Sequence, residues 1–404
     1  MKNFNLKSEV EKIYIGNRRK NKEYQYTVPS PESYPYQWLW DSCFHSIVLS
    51  HFDIGAAKEE LRSLVSKQFD SGLIPHIIYW ERHNIINNDW GAKDTSTFTQ
   101  PPLLAYTVWQ IFKKEKDKEF LQEMFPSLDR FYVYILTRDL REHNLVGIVN
   151  PDESGEDNSP RFDTPLGLPH KHTFSENNRK RSELLERNKA CNFDATNCMR
   201  NFFWVKDVAF NSYLIENLHV MSKIAEELNE EEKHSYYLKK SELISGAMRE
   251  RMLKNGIFWN IYGSDHVKIP IKTWAIFTPL LAGILSDEEA KNLIKNHLLN
   301  EEEFWSAYPI PSTAMNEESF FPIESDEGPA WLHPNWRGPV WMASNWFVYR
   351  GLKKYGFEEE AQAIKDRSTE LLEKSGFREY YNPQTGAGLG AKDFTWGGLV
   401  LDMN

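Results

Sequence analysis

Five carboxylates stand within NPDESGEDNSPRFD, Asn150 to Asp163: Asp152, Glu153, Glu156, Asp157 and Asp163. Glycine, proline and serine break any helix or strand there. Three readings fit such a loop. A calcium loop gathers acids, but the D-x-[DN]-x-[DN]-G spacing is absent. A solvated acidic turn needs no chemistry. A general acid fits too, because crowded carboxylates raise one another's pKa and a proton donor must hold its proton near neutrality. A further acid, Glu379, lies between Arg378 and Tyr380 in GFREYYNPQTGAGLGAKDFTW, where glycines keep the loop close to whatever it covers.

Aromatic and polar residues cluster in three other stretches. QWLWDSCFH, Gln37 to His45, brings Trp38, Trp40 and Asp41 to the start of a helix. Singly, such tryptophans belong in a core and such an aspartate favours a helix N-terminus. Together they suit a sugar, whose C–H faces stack on indoles and whose hydroxyls donate to a carboxylate. GLIPHIIYW and FTQPP carry His76 and Gln100, each more often a satisfied polar residue than a ligand contact. WLHPNWRGPVWMASNWF, Trp331 to Phe347, places Trp336 and Trp341 on either side of a loop-to-helix junction. The His170/His172 pair has no third metal ligand at a sensible spacing, and the two G-x-G runs open no phosphate loop. No G-x-S-x-G nucleophile motif occurs.

The elements that must carry these residues read as helical. Ile54, Ala57, Leu61, Leu64, Val65 and Phe69 form one helix face, and the stretch 38–52 before it is apolar too. Similar pairs recur at 97–114 and 117–138, 206–228 and 231–252, 272–284 and 287–299, and 339–355 and 358–375. Helices at 6–15 and 393–403 remain, one at each end. Twelve helices in six pairs predict an all-α fold, a single (α/α)6-barrel domain over 1–404 with long active-site loops at one end. The segments 15–37, 70–96, 139–205, 300–338 and 376–392 read as irregular, and loops that long are usually functional.

Composition sets limits. The net charge of −10, with no long basic run, argues against nucleic acid as partner. The longest apolar stretch, 276–285, is too short for a bilayer and contains Pro279. MKNFNLKSEVEKIYIG lacks the apolar region of a signal peptide. Three cysteines, Cys43, Cys191 and Cys198, without C-x-x-C predict neither disulfide nor zinc site, so a cytoplasmic protein with reduced thiols is expected. Of the 24 Phe, 18 Tyr and 14 Trp some belong in the core, and the clustered tryptophans also suggest a pocket lined by flat apolar faces.

As an ordered set, WLWD, IPH, TQPP, ESGEDNSPRFD, NWRGPVW, EYYNPQTG and the closing FTW resemble glycoside hydrolase family 63, and within it the compact bacterial mannosylglycerate and glucosylglycerate hydrolases. The resemblance spans nearly the whole chain. It implies an (α/α)6 barrel and inverting hydrolysis of an α-glycosidic bond, without metal or cofactor in the chemistry. It implies Asp157 as general acid and Glu379 as general base. It places Trp38, Trp40, Asp41, Gln100, Asn158, Trp336 and Trp341 around the sugar, with Tyr34 and Arg337 as further candidates. The expected substrate is a small α-glucoside or α-mannoside such as glucosylglycerate or mannosylglycerate. A short disaccharide or oligosaccharide is the alternative, and a sugar epimerase or an inactive sugar-binding protein are the rivals from other classes. The sequence departs from the pattern at Asn335, where an aromatic is usual, and in the 139–205 segment; both touch the leaving-group side. A glycerate carboxylate would require a cation, for which Arg161, Arg200 and Arg337 are available.

Overall fold

A computed structural model describes residues 4–81, 90–322 and 335–404. The parts of the expected loops at 82–89 and 323–334, including Trp331 of the tryptophan-rich stretch, lie outside the described residues. Each predicted pair is present. The helices are α1 (Leu6–Asn17), α2 (Leu39–Leu49), α3 (Ile54–Val65), α4 (Leu104–Glu115), α5 (Lys118–Leu136), α6 (Asp163–Leu166), α7 (Phe174–Ala190), α8 (Ala195–Asn201), α9 (Val208–Glu227), α10 (Glu231–Arg251), α11 (Thr278–Ala282), α12 (Asp287–Leu293), α13 (Met342–Lys354) and α14 (Glu358–Ser375). The closing segment Thr395–Asp402 is a 3₁₀ helix.

Side-chain polarity decides which helix lies inside. Every residue of α2 is buried. In α10, charged on most of its surface, only Tyr237, Ser241, Ile244, Ala247 and Met248 are. The same contrast holds between α13 and α14. The inner segments contact one another in sequence: α2 with α4, α4 with α9, α9 with α11, α11 with α13, α13 with the 3₁₀ segment, and that segment with α2. Behind them α3 packs on α2, α5 on α4, α10 on α9, α14 on α13, and α1 on the 3₁₀ segment. Asn5, Asp53, Asp117 and Asp207 cap α1, α3, α5 and α9 by accepting amide hydrogens in the first turn.

The fold is mostly helical, yet it holds short strands that an all-α reading omits. Gln37–Trp38 pairs with Ile77–Ile78, and Arg378–Tyr381 with Gly388–Lys392, both antiparallel.

Two expectations for 139–205 need correction. The segment is not irregular throughout, because α7 and α8 lie in it. In α7 only Asn177, Leu184, Leu185 and Asn188 are buried. That stripe is too narrow and polar for apolar periodicity to reveal, although the Thr173–Glu176 capping box marks the start. Nor are all three thiols reduced. Asn192 and Phe193, with φ of 52° and 54°, reverse the chain between α7 and α8, and Cys191 and Cys198 form a disulfide with Cα atoms 5.7 Å apart. The thiol argument for a reducing compartment falls with it. Cys43 alone is free and buried. Among the described residues, no helix is long and apolar enough to cross a membrane.

Candidate active site

A cavity open to solvent gathers residues from both ends and the middle of the chain. Of the predicted residues, Tyr34, Trp38, Trp40, Asp41, His76, Gln100, Asp157, Trp336, Trp341 and Glu379 line it. Asn158, Arg161 and Arg337 do not.

Glu379 comes from the hairpin Arg378–Tyr381/Gly388–Lys392. Its register shifts between Arg378 and Tyr380, so Arg378 faces Lys392 while Tyr380 faces Leu389. This bulge places the Ala391 N–H where it donates to Glu379 Oε2 at 2.8 Å. The Tyr34 hydroxyl donates to Oε1 at 2.8 Å. Gly390 has φ of +63°, and a Cβ there would lie 2.5 Å from Glu379 Oε2. Arg378 does not reach inward, because its guanidinium donates to the Gly390 and Ala391 carbonyls at 2.7 and 3.4 Å. Burial, followed by the Glu379 charge, pushes the Tyr34 phenol well up, so it remains a donor.

The acid loop separates into anchors and cavity residues. Arg138 donates twice to Glu153, at 2.7 and 2.8 Å. Arg161 donates twice to Glu156, at 2.5 and 3.0 Å, and once to Asp207 at 2.8 Å. Arg337 pairs with Asp163. Glu153 and Glu156 therefore do not act as free charges beside Asp157, as crowding alone suggests. Asp152 and Asp157 do line the cavity. Between them stands Arg181 of α7, 2.6 Å from an oxygen of each. Gly155 lets the loop lie on Trp40: its φ is 74°, and a Cβ would meet the indole at 2.5 Å.

The walls are aromatic. Trp336 and Trp341 stack with centroids 4.0 Å apart and planes 4° from parallel. Trp396, which sequence reasoning did not select, donates its indole N–H to Asp41 at 2.6 Å. Burial raises the Asp41 carboxyl to about 6, against the lowering effects of His45 and Trp396. Gln100 accepts the Trp40 amide at 3.3 Å. His76 is buried, with Nδ1 2.6 Å from Ser96 Oγ. Burial lowers it to about 3, so it is neutral. The Trp38 indole nitrogen is buried and has no hydrogen-bond partner among the described residues.

Asn158 acts on the site through Trp336, whose backbone N–H it accepts at 3.1 Å. Arg161 and Arg337 are fully buried in their own ion pairs, and Arg200 is exposed on α8. None of these arginines reaches the cavity wall. Arg181 went unrecognised because no local pattern distinguishes it from the other cations of a polar helix.

The site joins carboxylates to apolar ring faces, a combination suited to acid–base chemistry on a sugar. The model of the mannosylglycerate hydrolase MGH1-like glycoside hydrolase domain matches residues 34–397. A mannosylglycerate hydrolase of Thermus thermophilus is 32% identical over 94% of this chain and 96% of its own. The glucosylglycerate hydrolase of Mycolicibacterium hassiacum is 26% identical over 93% of each. A crystal structure of the GH63 mannosylglycerate hydrolase from another strain of Thermus thermophilus, in complex with Tris and D-glycerate, matches with a TM-score of 0.87, at 30% identity over 99% of each chain.

Proposed function

Because the chain belongs to the MGH1-like glycoside hydrolases of family 63, we propose that it hydrolyses a small α-glucoside or α-mannoside with inversion, within a single (α/α)6 barrel. The observation that carries this reading is that Asp157 of the acid loop and Glu379 of the distant hairpin line one tryptophan-walled cavity. Asp157 is the general acid and protonates the leaving oxygen. Glu379 is the general base and activates water on the opposite face of the sugar. Inversion calls for a gap of about 6.5–9.5 Å between the two carboxyl groups to admit that water.

The surroundings suit these roles. Hydrogen bonds from Tyr34 and Ala391 favour the ionised form of Glu379 and fix its plane. Trp38, Trp40, Trp336 and Trp341 offer aromatic surface to the pyranose, and Asp41 an acceptor for hydroxyls. The relatives' names point to glycerate as leaving group, and a short disaccharide remains the second reading because Arg161 and Arg337 lie away from the cavity. Replacing Asp157 or Glu379 with Ala should lower kcat by about 10²–10⁴-fold with the fold retained. Wild-type turnover in either variant on an α-glucoside or α-mannoside would contradict the assignment.

A further inference from the structure

Behind the aromatic wall of the cavity lies a buried polar group that the acid–base pair does not use. His45 follows Asp41 by one turn on the same face of α2, and Glu60 of α3 packs against it. His45 and Glu60 are 0% and 1% exposed. His45 Nδ1 has no hydrogen-bond partner among the described residues and lies 3.6 Å from Glu60 Oε1. The other ring nitrogen, Nε2, is 2.7 Å from Thr395 Oγ1. Thr395 precedes Trp396, whose indole N–H Asp41 accepts. Two residues four apart on α2 thus grip two adjacent residues of the closing 3₁₀ segment. Tyr14 of α1 ties down that segment by donating its hydroxyl to the Thr395 carbonyl at 3.3 Å. Ser42 fixes Glu60 by donating to Oε1 at 2.7 Å.

We propose that His45 is a positioning residue of the sugar subsite: braced by Glu60 and Thr395, it keeps Asp41 against Trp396 and in the ionised form that accepts from sugar hydroxyls. This rests on the hydrolase reading above, which places Asp41 at the sugar. A buried carboxylate is costly unless it is hydrogen-bonded and matched by positive charge. An imidazolium between Asp41 and Glu60 meets that need for both. Burial raises the Asp41 carboxyl, the charge on His45 draws it back down, and the charge on Glu60 opposes His45. Two other titratable groups packed here stay uncharged, because burial pushes the Tyr14 phenol well up and the Cys43 thiol to about 12. Asp152, Asp157 and Glu379 line the same cavity as Asp41, whereas His45 and Glu60 act on it from the core side.

The test follows binding of methyl α-glucoside and methyl α-mannoside by tryptophan fluorescence from about pH 5 to about pH 8. In the wild type Kd should rise as pH falls, with a midpoint near the Asp41 value of about 6. His45→Gln retains a polar side chain but carries no charge, so the midpoint should move up by about one pH unit. A merely structural role would weaken binding alike at every pH and leave the midpoint in place. His45→Gln/Glu60→Gln removes the matching charge too, so that Glu60 is not stranded in the core and the fold is kept. Its midpoint should lie between those of the wild type and the single variant, because two opposed influences on Asp41 are gone. Turnover of an α-glucoside and an α-mannoside is measured alongside. A midpoint unmoved in both variants overturns the inference, as does wild-type binding that is independent of pH or absent; turnover by the wild type then leaves the hydrolase reading intact. The expected shift without any turnover upholds the coupling of His45 to Asp41 and overturns the hydrolase reading.

Discussion

At the scale of single residues, what matters is which protons are held and by what. Asp41 is buried, and its carboxyl is raised to about 6. On the proposed function it accepts from sugar hydroxyls when ionised; as pH falls through about 6 it gains a proton and loses acceptor capacity. KM should therefore rise below about pH 6 while kcat is followed separately, and Asp41→Asn should flatten that rise. A KM independent of pH in the wild type would remove Asp41 from the sugar subsite. His76 contributes no charge over the same range, since it is held neutral to about 3. Clustering marked Trp38, Trp40 and Asp41 in the sequence, whereas Gln100, Trp336 and Trp341 were assigned to a common subsite by the family resemblance. Their partners were marked by neither. Nothing in GFREYYNPQTG reveals that Tyr34 would donate to Glu379, or that Arg378 would turn away from it to the hairpin carbonyls.

At the scale of elements, the Glu379 hairpin and the acid loop are positioning devices. The bulge opposite Glu379 supplies the Ala391 N–H, and Gly390 leaves room for the carboxylate beside it. Gly390→Ala should displace the carboxylate and lower kcat by about tenfold or more, with KM nearly unchanged. An unaltered kcat would mean that the hairpin adapts. The acid loop is held from behind by buried ion pairs, Arg161 with Glu156 and Asp207 chief among them. Arg161→Met leaves two carboxylates without their buried cation and should cost about 3–5 kcal/mol in denaturant unfolding. A loss below about 1 kcal/mol would show that the pair is solvated. The inner helices of the pairs were readable because they bury broad apolar faces, and their outer partners because only short connections join them to the inner ones. Helix α7 was not, since Leu184 and Leu185 are its only buried apolar residues. Yet α7 carries Arg181, and its Asn188 accepts from Asn150 of the acid loop at 3.1 Å. The disulfide at its end was hidden for a related reason: only the reversal at Asn192 and Phe193 brings the two cysteines together.

At the scale of the whole molecule, the inner helical segments follow one another round until the closing 3₁₀ segment returns to α2. Asp41 from the first part of the chain and Trp396 from the last meet in one hydrogen bond. Asp157 and Glu379 likewise share one cavity although their loops are far apart in sequence. Apolar periodicity made the helix pairing readable in advance; the charge pattern of the cavity mouth needed the three-dimensional contacts. On the proposed mechanism these two carboxylates act on opposite faces of an α-linked sugar. The most direct test follows the anomeric proton by NMR during the first minutes of hydrolysis of a cleaved α-glucoside, before mutarotation. The β-anomer should appear first and the α-anomer only later. First appearance of the α-anomer would contradict the account, for then a covalent intermediate and a nucleophilic carboxylate would have to replace the general base.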